Sequence, residues 1–168
     1  MLSDRRLKAL VQRLAAIPHL QRLRIHTRLP VVVPQRVTQA LIRLLREARI
    51  APIVVIHANH ANELDKSVFR ATSRLLDVGI PVLNQSVLLR GVNDSVEALV
   101  RLHQQLINQR IMPYYLHQLD RVAGGSHFHV PPETGQRLVA ELRRQLPGYA
   151  VPRFVREQAG CPFKVPLT

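Results

Sequence analysis

Hydrophobic positions along the chain follow two alternating patterns. Apolar residues recur at three- and four-residue spacing from Leu7 to Ile17, which predicts an amphipathic helix over residues 4–17 with Ser3 as its N-cap. Pro52 to His57 is instead an uninterrupted apolar run, as in strands buried on both faces. The same patterns predict helices over 35–48, 63–78, 95–109 and 132–146 and strands over 23–27, 52–57, 80–83, 111–116 and 150–155.

Local signals set several predicted boundaries. Gly79 is expected to end the helix before it, and Asn93 or Asp94 to cap the helix that begins at Ser95. The third strand, 80–83, could extend through Val87 to Leu89 after the Asn-Gln-Ser sequence at 84–86.

The alternation of strands and helices indicates right-handed βαβ crossovers, and hence an α/β fold with a parallel sheet. Two architectures fit: an open doubly wound sheet, or part of a TIM-like β/α barrel. Four or five strands are too few for a closed eight-stranded barrel of about 250 residues. A chain that begins on a helix favours an incomplete barrel, which would leave an exposed strand edge where the missing strands pair.

Length and composition narrow the function classes. The 168 residues, 46% of them hydrophobic, suffice for one domain with a core. The excess of 24 basic over 11 acidic residues gives a net charge of +13, so an RNA-binding α/β module is one candidate. Aromatic residues make up only 4% and Trp is absent, which argues against base stacking. A charged N-terminus and the lack of a membrane-length apolar run predict a soluble cytoplasmic protein.

Polar residues follow the predicted strands, where parallel β/α folds place their reactive groups. They are His26, Thr27 and Arg28; His57, Asn59, His60, Asn62 and Glu63; Asn84, Gln85, Asn93 and Asp94; and His117, Gln118 and Asp120. Any one of them is typical of a helix cap or a turn. Four successive strand ends of this kind favour an active-site rim.

Cysteine and lysine usage restricts the chemistry further. A single cysteine, Cys161, excludes an internal disulfide and any cluster held by several thiolates of this chain. The histidine pairs His57/His60 and His127/His129 lack a clear third ligand, so a metal site is not predicted. Only 3 basic residues are lysines, and Lys164 near the C-terminus has an amine that could form a Schiff base, which arginine cannot.

The chain carries a series of long motifs in a fixed order. They read RIHTRLPVVVPQRVT, HANHANE, LNQSVLLRGVND, MPYYLHQLD, SHFHVP, GYAVPRFV and GCPFKVP. This order resembles the C-terminal portion of the lysine 2,3-aminomutase family of radical S-adenosylmethionine enzymes, from about residue 14 to 166. It is most similar to the branch that makes (R)-β-lysine for modification of elongation factor P.

The resemblance implies roles for particular residues and a set of cofactors. Lys164 matches the lysine that binds pyridoxal phosphate covalently, and Asp120 and Glu157 match the acids that hold the ε-ammonium of the substrate L-lysine. His60 matches a histidine that lies against S-adenosylmethionine, and Gln85 belongs to the same rim. His117 stands where some aminomutases have a tyrosine. The family also uses a 4Fe-4S cluster.

The cysteine motif CxxxCxxC that holds this cluster does not occur in the sequence. We therefore expect either a fragment of a longer enzyme, whose cluster ligands lie in a missing N-terminal part, or a remnant without aminomutase activity that docks elongation factor P. The expected organisation is a single domain over 1–168, with β/α units over about 1–147 and the lysine-bearing segment over 148–168.

Overall fold

A computed structural model describes residues 3–167 of the chain. The α-helices are α1 (Asp4–Ala15), α2 (Leu29–Val32), α3 (Gln39–Arg46), α4 (Lys66–Leu76), α5 (Val96–Asn108) and α6 (Pro132–Gln145). The strands are β1 (Arg22–Thr27), β2 (Ala51–His57), β3 (Val82–Leu88), β4 (Met112–Gln118), β5 (Arg153–Arg156) and β6 (Val165–Pro166). Single 3-10 turns occupy Pro34–Arg36, Ala61–Glu63, Ser126–Phe128 and Gly148–Ala150.

All the strands belong to one sheet, in the order β1-β2-β3-β4-β5-β6. Pairing is parallel from β1 to β5, and the short β6 runs antiparallel to β5. The predicted α/β class with a parallel sheet is confirmed. Within residues 3–167, β1 has a neighbour on one side only, which is the exposed edge expected of an incomplete barrel.

The helices cover one face of the sheet. On that face Val54, Ile56 and Val82 pack with α3 and α4, while Leu116 and Phe154 pack with α5 and α6. The opposite face, which we call the open face, carries the alternate residues of each strand. No helix within residues 3–167 is long and apolar enough to cross a membrane.

Several predicted boundaries are wrong for identifiable reasons. The second helix begins at Gln39 instead of residue 35, because the Thr38 side chain caps it and a 3-10 turn occupies Pro34–Arg36. Ser95, and not Asn93 or Asp94, caps α5, since its side chain accepts a hydrogen bond from the amide of Ala98.

The third strand begins at Val82 instead of residue 80 and follows the longer of its two predicted extents. The polar sequence at 84–86 does not end it, and β3 runs through these residues to Leu88. Gly79 has a positive φ of 81° three residues after the last residue of α4, as predicted for a helix stop.

Candidate active site

A cleft of about 340 Å³ opens on the open face, at the carboxyl ends of the strands. Successive strands β1 to β4 contribute polar side chains to it: His26, His57, Gln85 and His117. Asp120 lies just beyond β4, and Glu157 and Lys164 come from the C-terminal segment. Parallel α/β folds bind their ligands at this edge of the sheet.

The strand register explains why these side chains meet. His57 is the ladder partner of Gln85, which in turn pairs with Tyr115 on the next strand. Because laterally paired residues point to the same face, all three lie on the open face. Nδ1 of His26 donates a hydrogen bond to Oε1 of Gln85 at 3.2 Å, which connects β1 to β3 across the strand between them.

Lys164 and Glu157 are brought together by the antiparallel pairing of β5 with β6. Val155 pairs with Pro166 and Arg156 with Val165, so the next residue outward on each side is Glu157 and Lys164. The ammonium of Lys164 donates a hydrogen bond to Oε1 of Glu157, and 30% of the lysine side chain is exposed. Its Nζ also lies 5.8 Å from the centroid of the Tyr115 ring, within cation-π distance.

Two cleft histidines are held in the neutral form. The pKa of His117 is lowered to about 4, chiefly by burial and then by the positive charge of Lys164, with Asp120 acting in the opposite direction. Burial, followed by the charge of Arg28, also lowers the pKa of His57. Nε2 of His117 is buried without a hydrogen-bond partner among residues 3–167. At pH 7 this ring is therefore neutral, with a free nitrogen in a cleft that also holds the charged groups of Lys164, Asp120 and Glu157.

Asn84 is a structural residue and not part of the rim. It is 1% exposed and points to the helix-covered face, whereas Gln85 points into the cleft. Its Oδ1 accepts a hydrogen bond from the amide of Ala58 at 2.9 Å, and its Nδ2 donates to the carbonyl of Ala58 at 3.1 Å and to Ser86 Oγ at 3.0 Å. The side chain thus continues the pairing of β2 with β3 beyond the last backbone partner.

Asn59 and Asn93 connect the loops after β2 and β3 in the same way. Oδ1 of Asn59 accepts from the amide of Val87 at 2.8 Å. Nδ2 of Asn93 donates to the carbonyls of Asn59 and Val87, both at 2.9 Å. Asn93 is fully buried, so its assignment to the rim is wrong. These side chains replace backbone pairing where the strands separate, and thereby position the cleft.

His60 lies outside the lining of this cleft. It caps the 3-10 turn Ala61–Glu63, and its Nδ1 accepts a hydrogen bond from the amide of Asn62 at 3.2 Å. One oxygen of Glu63 accepts from the amides of both Asn59 and His60, at 2.7 and 2.9 Å. The HANHANE motif is therefore a tightly bonded loop in which His57 points into the cleft and His60 does not.

Neither metal ligands nor clustered thiols are found in the part of the chain that the structure describes. No group of three or more His, Cys, Asp or Glu side chains is arranged to hold a metal ion within residues 3–167. Cys161 is a half-buried free thiol. These residues do not fit an iron-sulfur cluster, which needs several thiolates.

Sequence comparison finds L-lysine 2,3-aminomutases. The chain is 45% identical to the protein of that name from Escherichia coli K12, over 99% of this chain and 49% of the relative. It is 47% identical to that from Haemophilus influenzae, over 98% and 48%, and 40% identical to that from Clostridium subterminale, over 99% and 40%. The chain thus spans about half the length, or less, of the curated relatives it matches. No family model matches it.

Structure comparison gives the class of fold. Streptococcus suis SuiB, solved with bound S-adenosylmethionine, superposes with a TM-score of 0.62 over 92% of this chain and 37% of that one, at 12% identity. The fold is that of a partial β/α barrel of the radical S-adenosylmethionine enzymes. Within this class, the resemblance to the lysine 2,3-aminomutase family extends over nearly the whole chain.

The structure brings together most of the candidate residues. Gln85, Asp120, Glu157 and Lys164 line one cleft, and His60 is the exception. Sequence reasoning assigned no role to Tyr115, which contacts Lys164. The signal available in the sequence was the pair of adjacent tyrosines, Tyr114 and Tyr115. Because adjacent strand residues point to opposite faces, one of the two was expected to face the cleft.

Proposed function

We propose that this chain forms the substrate and pyridoxal phosphate portion of a radical S-adenosylmethionine aminomutase that converts L-lysine to (R)-β-lysine. The observation that carries the proposal is the meeting of Lys164, Glu157 and Asp120 in one cleft. The family resemblance assigns these residues to the cofactor and to the substrate ammonium, and nothing in their spacing along the chain requires them to be neighbours.

The donor set of the cleft fits pyridoxal phosphate. It offers one primary amine, an aromatic ring beside that amine, and neutral imidazoles that can hydrogen bond to a heteroaromatic ring. When bound, pyridoxal phosphate supplies an aldehyde for covalent attachment to an amine and a conjugated ring that delocalises electrons. Lys164 is the amine in the cleft and would hold it.

Glu157 and Lys164 have linked roles in this proposal. In the structure the Glu157 carboxylate is occupied by the Lys164 ammonium. A lysine that attacks an aldehyde must first lose a proton. The carboxylate oxygen next to Nζ is placed to receive it and to pass it to solvent, because 52% of the Glu157 side chain is exposed. Once Lys164 is covalently engaged, Glu157 becomes available, together with Asp120, for the distant ammonium of a substrate lysine. Two carboxylates offset the cost of burying that ammonium.

The proposal gives this chain no residues that hold the 4Fe-4S cluster and takes its contacts with S-adenosylmethionine from the family resemblance. Contact of S-adenosylmethionine with His60 and Gln85 remains a prediction of the resemblance. Because the described residues do not fit a 4Fe-4S cluster, no reductive step is assigned to this chain. The cluster ligands would come from protein outside this sequence, and the residues of the cleft would bind, orient and shield the substrate.

The test is covalent labelling of Lys164. The chain is incubated with pyridoxal phosphate, reduced with borohydride and mapped by peptide mass spectrometry. We expect the label on the peptide that contains Lys164, and its loss in Lys164→Arg, which keeps the charge but has no nucleophilic amine. Lys66→Arg is the matched control, since Lys66 lies at the start of α4 and away from the cleft. Equal labelling of Lys66 and Lys164 would refute the assignment.

The acids are tested separately from the covalent link. Asp120→Asn should retain the label on Lys164 and weaken the binding of L-lysine by about tenfold or more, because a charged hydrogen-bond partner is lost. Binding of L-lysine that is unchanged in this variant would remove Asp120 from the substrate site.

The use of the product for modification of elongation factor P is proposed from the motif order alone. Its test is complementation: cells that lack their own lysine 2,3-aminomutase should regain β-lysylated elongation factor P when the complete gene is supplied. The same gene carrying Lys164→Arg should not restore the modification.

A further inference from the structure

The loop that follows β4 forms one wall of the cleft and is closed at its base. There Nε2 of Gln118 donates a hydrogen bond to the carbonyl of Val130 at 2.8 Å, and both residues are buried. Residues 119–129 between them, which we call the rim loop, are exposed except for Leu119 and Gly125, which are half-buried. Compact surface loops of this length, with their ends held together, are frequently functional.

Hydrogen bonds hold the end of the rim loop and leave its first part unattached. The carbonyl of Phe128 accepts from the amide of Arg90 at 2.8 Å, whereas within the described chain 3–167 residues 120–127 form no hydrogen bond to a residue outside the loop. Inside the loop, the amide of Gly125 donates to the carbonyl of Val122 at 3.1 Å, which closes a turn at the tip. Segments with exposed backbone and few contacts open at low cost in free energy. The tip can therefore move while the base stays bonded.

The rim loop separates the cleft from a second cavity. Leu119, Asp120 and Val122 line both the cleft of about 340 Å³ and a neighbouring cavity of about 540 Å³. Ser126 and His129, further along the loop, line only the second cavity. The wall between the two spaces is therefore one stretch of backbone with open volume on both sides, and it has room to shift.

Two large apolar side chains are exposed beside the mouth of the cleft. Val122 is 57% exposed and stands at the start of the turn at the tip of the rim loop. Phe163 is 64% exposed and directly precedes Lys164 in the C-terminal segment. Removal of apolar surface from water is favourable, so contact between these two side chains would stabilise a closed position of the loop.

We propose that the rim loop is a lid, which closes over the cleft by bringing Val122 into contact with Phe163. In the structure the lid is open. Closure covers Lys164, carries Asp120 at the start of the loop with it, and excludes water from the cleft, as lids over reactive groups do. The inference rests on the proposed function only for the identity of the ligand that the lid covers.

The experiment traps the closed lid with a disulfide and needs no ligand. Val122→Cys and Phe163→Cys are introduced together with Cys161→Ser, which removes the cysteine present in the sequence. A disulfide requires Cα atoms within about 7 Å, so it forms under mild oxidation only if the lid reaches Phe163. The control combines Ser126→Cys with Phe163→Cys, because Ser126 belongs to the same loop but does not line the cleft. We expect the first pair to cross-link and the control pair not to.

Reactivity of the Lys164 amine then shows whether the closed lid covers the cleft. The amines are methylated with formaldehyde and cyanoborohydride, a reductant too mild to cleave the disulfide, and are mapped by peptide mass spectrometry. Lys66 is the internal reference, since it lies at the start of α4 and away from the cleft. We expect the cross-link to abolish methylation of Lys164, to leave that of Lys66 unchanged, and reduction of the disulfide to restore the reaction.

The outcomes separate this inference from the proposed function. Equal cross-linking of the two pairs, or none of either, would overturn the lid. A cross-link that leaves Lys164 as reactive as before would overturn it too, because the loop would then not cover the cleft. The reduced variant is also incubated with pyridoxal phosphate and borohydride. If Lys164 is methylated there but takes no pyridoxyl label, the proposed function fails, while the disulfide still decides the lid.

Discussion

Replacement of Asn84 by alanine tests how the cleft is positioned. The substitution removes the hydrogen bonds of the side chain to the amide of Ala58, to its carbonyl and to Ser86, at 2.9, 3.1 and 3.0 Å. The carbonyl of Ala58 keeps a partner, because Ser86 Oγ still donates to it at 2.8 Å. The amide of Ala58 loses its partner in a residue that is 0% exposed.

The expected loss of stability depends on the amide of Ala58, which is left without a partner, more than on its carbonyl, which keeps one. A buried donor left without a partner costs about 1–3 kcal/mol, and the two remaining hydrogen bonds contribute about 0.5–1.5 kcal/mol each. We therefore expect Asn84→Ala to lower the free energy of unfolding by about 2–6 kcal/mol. Asn108→Ala, at an exposed residue of α5, should change it by less than about 0.5 kcal/mol.

Urea unfolding followed by circular dichroism measures the effect, provided that the m value is unchanged. Asn84→Asp adds a specific signature. In this variant a carboxylate oxygen takes the place of Nδ2, which lies 3.1 Å from the carbonyl oxygen of Ala58. The ionised carboxylate would repel that oxygen, whereas the protonated carboxyl can donate a hydrogen bond to it. Its stability relative to the parent should therefore improve as the pH falls. A cost below 0.5 kcal/mol for Asn84→Ala, or no pH effect in Asn84→Asp, would refute the role assigned to Asn84.

Two further substitutions probe the core. A Cβ at Gly135 of α6 would lie 2.3 Å from Phe154 Cζ. Gly135→Ala should therefore lower the unfolding midpoint in urea, even though alanine gains about 1 kcal/mol in helix propensity. Gly148→Ala is the control and should not lower it, because a Cβ there would have nothing within 4 Å. Burial lowers the pKa of His103 from 6.5 to about 4, so the unfolded chain binds more protons between these values and stability should fall as the pH drops through this window. His103→Leu should weaken that dependence in urea titrations at pH 7 and 5, and an unchanged slope would contradict the prediction.

Sequence periodicity predicted most of the fold, because helices and buried strands leave different spacings of apolar residues. It was least decisive where polar residues continue a strand. Because Asn and Ser favour turns, it left two extents open for the third strand, and in the structure the strand continues because Asn84 bonds to the Ala58 backbone. The second helix was placed too early since Pro34 opens a 3-10 turn as readily as a helix.

Motif order determined the candidate residues, and tertiary structure decided which of them meet. Lys164 and Asp120 are 44 residues apart, and a pattern along the chain cannot state that strand ladders bring them to one cleft. Only the register, which alternates side chains between two faces, separates His57 and Gln85 in the cleft from Asn84 beneath the helices. The shift of register between β3 and β4, which leaves Tyr114 without a ladder partner, was equally invisible, because pairing is a property of the folded sheet.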